Sequence, residues 1–202
     1  MKVFAIIVAA ALAVGVVVAA IAVAVMLQPR TPKAEPAAKR VIELDAKEDV
    51  QTLDAETEKG ASGDFVVEVR KATLGRVKLR GGGFSGANHL IVELQIANTA
   101  QTKRLVCETW GEENQSAEIH TLLVDEFKNE YKRANLGLFS GADGASRFQE
   151  IYPESHEKDV LVFEKPIKRA ETLSLLLPGK SSGIKRTVVF RIPRKMIRGL
   201  DE

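Results

Sequence analysis

The sequence predicts an all-β domain, an antiparallel sandwich of about eight strands, preceded by one amino-terminal transmembrane helix and a linker. From Phe65 onward, apolar and polar side chains alternate with a period of two, as in strands that bury one face. Turn residues, chiefly proline, glycine and asparagine, separate these short runs. The long apolar segment, residues 3–27, precedes them, so the predicted helix is confined to the start of the chain.

The clearest predicted strand is His89–Ala97, in which Leu90, Val92, Leu94 and Ile96 face one side. Many short strands without a helical period among them fit either a sandwich or a barrel, and the sandwich is favoured. The other predicted strands are Phe65–Arg70, Leu74–Arg80, Arg104–Trp110, Ile119–Asp125 with a return through Arg133, Val160–Glu164, Thr172–Leu177 and Thr187–Ile192.

Residues 3–27 contain no charged or hydrogen-bonding side chain. As a helix they would extend about 37 Å, which exceeds the hydrocarbon thickness of about 30 Å in a bilayer. A helix also satisfies its own backbone hydrogen bonds in lipid. The sequence therefore predicts a signal-anchor helix that spans the membrane, with the lipid bilayer as a partner of residues 3–27.

A cleaved secretory signal peptide is the alternative, because Ala22-Val23-Ala24 matches a small-x-small cleavage site. The apolar run is longer than the ~7 to 15 residues of a signal peptide, which favours a retained anchor. The basic residues that follow the segment favour a cytoplasmic carboxyl side. Because they lie among prolines and acidic residues ahead of a whole domain, we instead expect that domain to be periplasmic or extracellular.

Residues 28–62 are predicted to be a linker, proline-rich at first and acidic afterwards. Pro29, Pro32 and Pro36 favour extended backbone, so a semi-rigid spacer is expected there. A short partner-docking helix in the acidic part is the alternative. The predicted domain, residues 63–202, holds 22 basic and 19 acidic residues, a balance that gives no electrostatic reason to expect nucleic acid as a partner.

Three features of the predicted domain are distinctive: Asn98 ends the central strand, Asp125–Tyr131 forms a hairpin, and Pro153 precedes the run Val160–Pro166. Together with the order of strands over residues 63–195, these three features resemble the pattern of the immunoglobulin-like sandwiches of bacterial membrane-anchored and secreted proteins. Those sandwiches include domain-of-unknown-function families akin to the immunoprotective extracellular antigens. The resemblance implies an immunoglobulin-like fold, structural roles for these residues and no catalytic set. The chain departs from those families in lacking a lipobox cysteine and in its Gly81–Gly83 loop.

Two short motifs fail as nucleotide-binding sites. Gly81–Gly86 matches G-x-G-x-x-G, but a strand follows it, whereas the dinucleotide site requires a helix amino terminus. Gly179-Lys180-Ser181 resembles the end of a phosphate loop, but Ser174 occupies the place of the first glycine. Ser85 and Ser140 lack the G-x-S-x-G pattern of a serine hydrolase. The sequence therefore predicts no catalytic and no cofactor-binding residue.

The three histidines, His89, His120 and His156, are far apart in sequence, and none has ligand-type spacing with Cys107. Structural or surface roles are predicted for them, and Asp143 alone is too few carboxylates for a calcium site. No metal is predicted. The alternative is a ligand or metal site that folding assembles from distant residues, with the candidates His89, His120, Asp125 and Glu164.

Cys107 is the single cysteine, which excludes an intrachain disulfide, and a small core or interfacial residue is the favoured interpretation. For Trp110 a core position is favoured over a role as a binding anchor. The loop Asn135–Ser146 is predicted to be a variable contact surface. The one basic concentration is interpreted as a solvated rim, with binding of anionic lipid or polymer as the alternative. It comprises Lys185, Arg186, Arg191, Arg194, Lys195 and Arg198.

These observations favour a non-enzymatic, single-pass membrane protein that presents an extracytoplasmic β-sandwich for protein or envelope interactions. The alternative is a ligand- or metal-binding extracytoplasmic domain, enzymatic or not, with a site assembled from distant residues. Two histidines and a carboxylate brought together by the fold would favour the alternative.

Overall fold

The computed structural model describes residues 38–43, 50–112, 120–137, 141–179, 184 and 187–200. These residues belong to a unit that begins at Ala38. The predicted anchor, residues 3–27, and the first part of the predicted linker lie outside the described residues. No helix in the described ranges has the length and apolar character needed to cross a bilayer.

The described residues form thirteen strands and one short 3-10 turn, with no α-helix among them. The all-β prediction is therefore confirmed. The strands are β1 (Arg40–Glu43), β2 (Val50–Asp54), β3 (Glu58–Ser62), β4 (Phe65–Lys78), β5 (Phe84–Asn98), β6 (Leu105–Glu108), β7 (Leu122–Asp125), β8 (Glu130–Tyr131), β9 (Phe148–Ile151), β10 (Ser155–Phe163), β11 (Thr172–Leu177), β12 (Thr187–Pro193) and β13 (Ile197–Arg198).

Two sheets form the layers of the fold. The first has the order β1-β3-β4-β5-β10, with β13 also pairing with β4, and the second has the order β2-β12-β11-β7-β8. β6 and β9 form a separate two-stranded ribbon. Val67 and Leu94 of the first sheet, and Leu175 and Phe190 of the second, belong to one core cluster and are fully buried. The domain is therefore a β-sandwich whose alternating apolar side chains meet between the sheets.

The prediction of a purely antiparallel sandwich was wrong, because both sheets are mixed. β1 runs parallel to β3, β2 parallel to β12, and β13 parallel to β4. β1 and β2 are the first strands of their sheets in spatial order, so the β1–β3 and β2–β12 pairs lie at sheet edges. Alternation in a sequence shows which face of a strand is buried, but not the direction of the neighbouring strand.

The predicted linker extends too far along the chain. Within residues 28–62 the structure places three strands, of which β3 pairs with β4 and β2 pairs with β12. Leu53 and Ala55 are buried in the core, so this acidic stretch contributes apolar side chains that stabilise the sandwich. Among its described charges, Asp54 is exposed on the edge strand β2 and Glu56 is exposed in the turn that follows, a pattern that is difficult to distinguish from a solvated spacer in sequence.

Several strands differ from their predicted bounds. Phe65–Arg70 and Leu74–Arg80 are one strand, β4, because a register shift between Val69 and Lys71 bends the strand without ending it. β9 was not predicted at all, since its four residues, Phe148–Ile151, are too few to display a period. β11 and β12 agree closely with their predicted bounds.

The chain enters this sandwich at one end, which we call the proximal end. There the ammonium of Lys39 donates to the carbonyl oxygens of Ala55, at 2.5 Å, and of Val69. The backbone N–H of Ala55 donates to Arg191 O at 2.9 Å, which fixes the entering segment to the second sheet. The turn that follows Asp125 lies at the same end of the second sheet. Asp125 pairs with Leu173 of β11, and Leu173 pairs with Ile192 of β12, the residue next to Arg191.

The opposite, distal end carries the ribbon. Phe65 is paired with Asn98 at this end of the first sheet. The ring of Trp110, which lies just beyond β6, contacts that of Phe65 edge to face, with 6.3 Å between centroids. Its indole N–H also donates to Pro178 O at 2.9 Å, just beyond the end of β11 in the second sheet. Trp110 therefore joins both sheets at the distal end.

Candidate protein-binding groove at the distal end

The ribbon of β6 and β9 has one buried and one exposed face. Cys107 and Ile151 point inward and are buried in the core cluster. Val106, Phe148 and Tyr152 alternate with them along the two chains and are 70%, 56% and 60% exposed. Large apolar side chains grouped on one exposed face are characteristic of interaction surfaces. We call these three residues the ribbon face.

Charged side chains surround the ribbon face. Arg104 forms an ion pair with Glu150, and Arg147 lies 4.0 Å from Glu108. The Arg147 guanidinium also lies 5.1 Å from the centroid of the Phe148 ring. In the register Glu150 lies opposite Val106 and Glu108 opposite Phe148, so the apolar side chains of this face alternate with carboxylates that are paired with arginines.

A groove of about 200 Å³ borders the ribbon face. Its floor is apolar, formed by Phe65, Ala100 and Leu105, while Lys103 and Asp64 are exposed at its mouth. Ser62, Asn98, Arg104 and Val106 complete the lining.

β6 presents an open edge to this groove. The backbone N–H of Thr109 donates to Arg147 O at 2.8 Å, so the odd-numbered residues of β6 direct their backbone groups toward β9. The N–H and C=O of Val106 and Glu108 therefore point away from β9. Among the described strands, β6 pairs only with β9. An open strand edge beside an apolar groove can accept an extended peptide as an additional strand.

Asn98 fixes the groove to the sandwich. Its side chain is 2% exposed and donates to Lys103 O at 2.8 Å and to Ile151 O at 3.0 Å. Its Oδ1 accepts a hydrogen bond from the N–H of Ala100 at 3.0 Å. One amide thus holds β5, the ribbon and the intervening turn together. The structural role that the family resemblance implied for Asn98 agrees with these contacts.

Asp159, a buried residue of β10, fastens the other end of the ribbon. Its Oδ2 accepts hydrogen bonds at 2.8 Å from the N–H groups of Trp110 and Gly111, and its Oδ1 accepts one at 3.2 Å from Ser146. Burial raises the pKa of the Asp159 carboxyl, while the hydrogen bonds and the nearby Arg133 act in the opposite direction. No local pattern indicates this role, because a single acid just before the predicted strand Val160–Glu164 is ordinary.

Gly111 allows this close approach. A Cβ atom at this position would lie 2.1 Å from Asp159 Oδ1 and 2.8 Å from Ser146 N. Only glycine leaves room for the carboxylate to reach the backbone here.

The predicted roles of Cys107 and Trp110 are confirmed, since both are buried in the core, at 4% and 2% exposure. Burial raises the pKa of the Cys107 thiol to about 11, with a smaller contribution from the charge of Asp159. The thiol is therefore neutral at physiological pH and a poor nucleophile.

The candidates for a site assembled from distant residues form no metal-binding group in the described part of the chain. His89 is half-buried on β5, while His120 and His156 are exposed. Within the described ranges, no group of three His, Cys, Asp or Glu side chains is arranged to hold a metal ion. Glu164 accepts a hydrogen bond from Lys132 N at 3.2 Å.

Asp125 has a structural role in the β7–β8 hairpin. Its carboxylate accepts hydrogen bonds from the N–H groups of Phe127 and Asn129 and from the hydroxyl of Tyr131, at 2.7 to 2.9 Å. Burial acts to raise the pKa of Asp125, but the hydrogen bonds from Asn129 and Tyr131 outweigh it, so the pKa is lowered. The Tyr131 hydroxyl also accepts a hydrogen bond from Ile167 N, which ties the hairpin to the segment after β10.

The remaining predicted surfaces are only partly described. In the loop Asn135–Ser146, Ala142 and Ala145 are buried against the outer face of the first sheet, so this part packs on the sandwich. Residues 138–140 lie outside the described residues. The Gly81–Gly86 motif spans the turn after β4, with Gly82 and Gly83 at positive φ, and the first three residues of β5, and no helix follows it. Of the basic concentration, the two residues at 185 and 186 lie outside the described ranges.

No protein-family model matches this chain, and no curated protein matches its sequence. Two solved structures are similar to it. The YjhA protein of Bacillus subtilis has 10% identity and a TM-score of 0.42, covering 67% of this chain and 96% of YjhA. YcdA of Bacillus subtilis subsp. subtilis strain 168, described as a putative lipoprotein, has 11% identity and a TM-score of 0.43, covering 71% of this chain and 41% of YcdA. At these values neither likeness carries an inference about function.

Proposed function

We propose that this chain is a non-enzymatic, membrane-anchored protein that presents its β-sandwich outside the cytoplasm to bind a partner protein of the cell envelope. The observation that carries the proposal is the ribbon face, three exposed apolar side chains beside a groove and an open strand edge. Isolated surface apolar residues are common, but a cluster that borders a groove marks an interaction site.

The position of the groove supports this proposal. The chain enters the sandwich at the proximal end, near Lys39 and Ala55, whereas the groove lies at the distal end, beside Phe65 and Asn98. The first described residues of the domain and the groove therefore lie at different ends of the sandwich. Immunoglobulin-like sandwiches commonly bind partners through the loops at one end, and we include the immunoglobulin-like assignment and the kinship with extracellular antigens in this proposal.

The mode of binding follows from the open edge of β6. An extended segment of the partner would hydrogen-bond to the backbone of Val106 and Glu108, and its alternate side chains would enter the groove over Phe65 and Leu105. Lys103 at the mouth favours an acidic side chain on that segment.

The test is photo-crosslinking in intact cells, with p-benzoylphenylalanine placed at Val106 or Phe148. We expect the same partner to crosslink from both positions and not from Phe84, an equally exposed aromatic position in the β4–β5 hairpin. Neither crosslinker replaces Glu150 or Glu108, so the ion pairs of the ribbon persist in both variants. Equal crosslinking from Phe84, or none from the ribbon, would contradict the proposed site.

A pair of carboxy-terminal reporter fusions tests the location. Alkaline phosphatase is active only outside the cytoplasm and a green fluorescent protein folds poorly after export in unfolded form, so we expect activity of the phosphatase fusion alone. Fluorescence without phosphatase activity would place the domain in the cytoplasm.

A further inference from the structure

The turn between β7 and β8 displays an aromatic side chain among cations. Phe127 is 49% exposed, and the Arg169 guanidinium lies 4.6 Å from the centroid of its ring. Lys128, next in the chain, is exposed and has a φ of 67°, which places it at the tip of the turn. Lys168, beside Arg169, is exposed too. We call Phe127, Lys128, Lys168 and Arg169 the basic tip.

The segments around the basic tip carry an excess of positive charge. Residues 125–132, 164–171 and 191–198 contain nine basic and five acidic residues. Arg194 connects two of these segments, since its N–H donates to Glu171 O at 2.8 Å and its guanidinium donates to Lys168 O. These segments therefore carry a net positive charge, and the acidic Asp54 and Glu56 lie at the same end, where Glu56 pairs with Lys195.

Two of the acidic side chains are held by the backbone. Asp125 is buried within the hairpin, where its carboxylate accepts the hydrogen bonds described above. The carboxylate of Glu126 accepts hydrogen bonds from the N–H groups of Glu171, at 2.8 Å, and Thr172, at 3.2 Å. The backbone therefore fixes the orientation of both carboxylates, while Glu126, Glu130 and Glu171 remain exposed near the cations of the basic tip.

The basic tip lies at the proximal end, where the chain enters the domain. Lys39 bonds to Ala55, whose N–H reaches Arg191, and Lys195 forms a 2.5 Å ion pair with Glu56. Arg194 and Glu171 then connect this region to the basic tip. Lys39, near the first described residue of the domain, and the basic tip are thus on the same side of the sandwich, opposite the groove.

We infer that the basic tip docks on the anionic lipid headgroups of the membrane that holds the chain, an inference that rests on the proposed anchor. Cations beside an exposed aromatic ring match the two layers of a membrane surface, with charge at the headgroups and the ring at the boundary of the acyl region. Docking there orients the sandwich so that the groove faces away from the bilayer. The ligand is therefore a phospholipid surface with negative charge.

The test uses the full chain with vesicles of phosphatidylcholine alone or with about 30 mol% phosphatidylglycerol, both containing brominated lipid. The variant Phe127→Trp reports contact, because bromine quenches a nearby indole. Its controls are the natural chain, in which the only tryptophan is the buried Trp110, and Val106→Trp at the distal end. Flotation of the chain with the phosphatidylcholine vesicles tests separately whether the proposed anchor, residues 3–27, inserts into a bilayer.

We expect quenching of Phe127→Trp to be about twofold or more stronger with anionic vesicles, and to fall toward the neutral-vesicle value in about 1 M salt. Adding Lys128→Glu and Lys168→Glu to the reporter should abolish the difference, while Val106→Trp should show none. Quenching that depends on anionic lipid supports docking whether or not the chain floats with neutral vesicles. Failure to float with neutral vesicles contradicts only the proposed anchor. Equal quenching of Phe127→Trp in both vesicles, or equal quenching of Val106→Trp, overturns the inference.

Discussion

The carboxylate of Asp159 accepts a 2.8 Å hydrogen bond from the backbone N–H of Trp110, and this contact fastens the ribbon to the first sheet. Asp159 is fully buried, and it bonds in the same way to Gly111. The backbone donors of a loop are thereby satisfied by one acid from the neighbouring strand. The orientation of the ribbon face depends on this loop.

Asp159→Asn is expected to lower the free energy of unfolding by about 1–3 kcal/mol, because the amide presents donors where the backbone already supplies donors. Denaturant unfolding measures this loss. Glu157→Gln on the same strand is the control, since Glu157 is exposed. Unfolding curves that coincide for the two variants would show that the Asp159 contacts have no net stabilising effect.

Gly111→Ala is expected to destabilise the protein by about 1–3 kcal/mol, since the added methyl group enters space occupied by Asp159 and the backbone of Ser146. Gly86→Ala is matched to it, because a Cβ at Gly86 meets no atom within 4 Å. Thermal unfolding of both variants provides the comparison. A melting temperature for Gly111→Ala equal to that of Gly86→Ala would contradict the close approach.

Stability should fall in acid partly through Asp125. Its pKa is lower in the folded state than the usual value of 3.8, because the hydrogen bonds from the hairpin outweigh the effect of burial. The unfolded chain therefore binds the proton more readily, so the stabilisation is complete above the usual pKa and is lost as pH falls toward the lowered one. Asp125→Asn should flatten the dependence of stability on pH below about 4.

Unfolding free energies measured at a series of pH values test this prediction. Asp64→Asn, at an exposed position, is the control and should leave the slope unchanged. An acid slope that persists in Asp125→Asn would assign the pH dependence to other carboxylates.

Cys107 should resist thiol reagents in the folded protein. Burial, with a smaller effect of Asp159, raises its pKa to about 11, so little thiolate forms at pH 8. The rate of reaction with an aromatic disulfide reagent should rise by orders of magnitude in denaturant. Thr102→Cys, at an exposed position, supplies an accessible thiol for comparison. Rapid reaction of Cys107 in native buffer would contradict its burial.

Elements with strong local patterns could be predicted from the amino-acid sequence alone. His89–Ala97 alternates without interruption, and the structure buries Leu90, Val92, Leu94 and Ile96 on one face as predicted. Residue type favours core positions for Cys107, a small apolar residue, and for Trp110, whose indole stabilises a fold when buried, and the structure buries both. The apolar run of residues 3–27 likewise predicts an anchor from composition and length alone.

Tertiary structure decided which strands pair, in which direction, and what their edges expose. The three parallel pairings, the recruitment of Val50–Asp54 into the second sheet and the short strand Phe148–Ile151 have no local signal. The ribbon face combines Val106 with Phe148, which are distant in sequence, and Asp159 fixes it through backbone atoms rather than a motif. Strand pairing is set by the free energy of contacts between distant segments, so a local pattern identifies the buried face of a strand but not its neighbour.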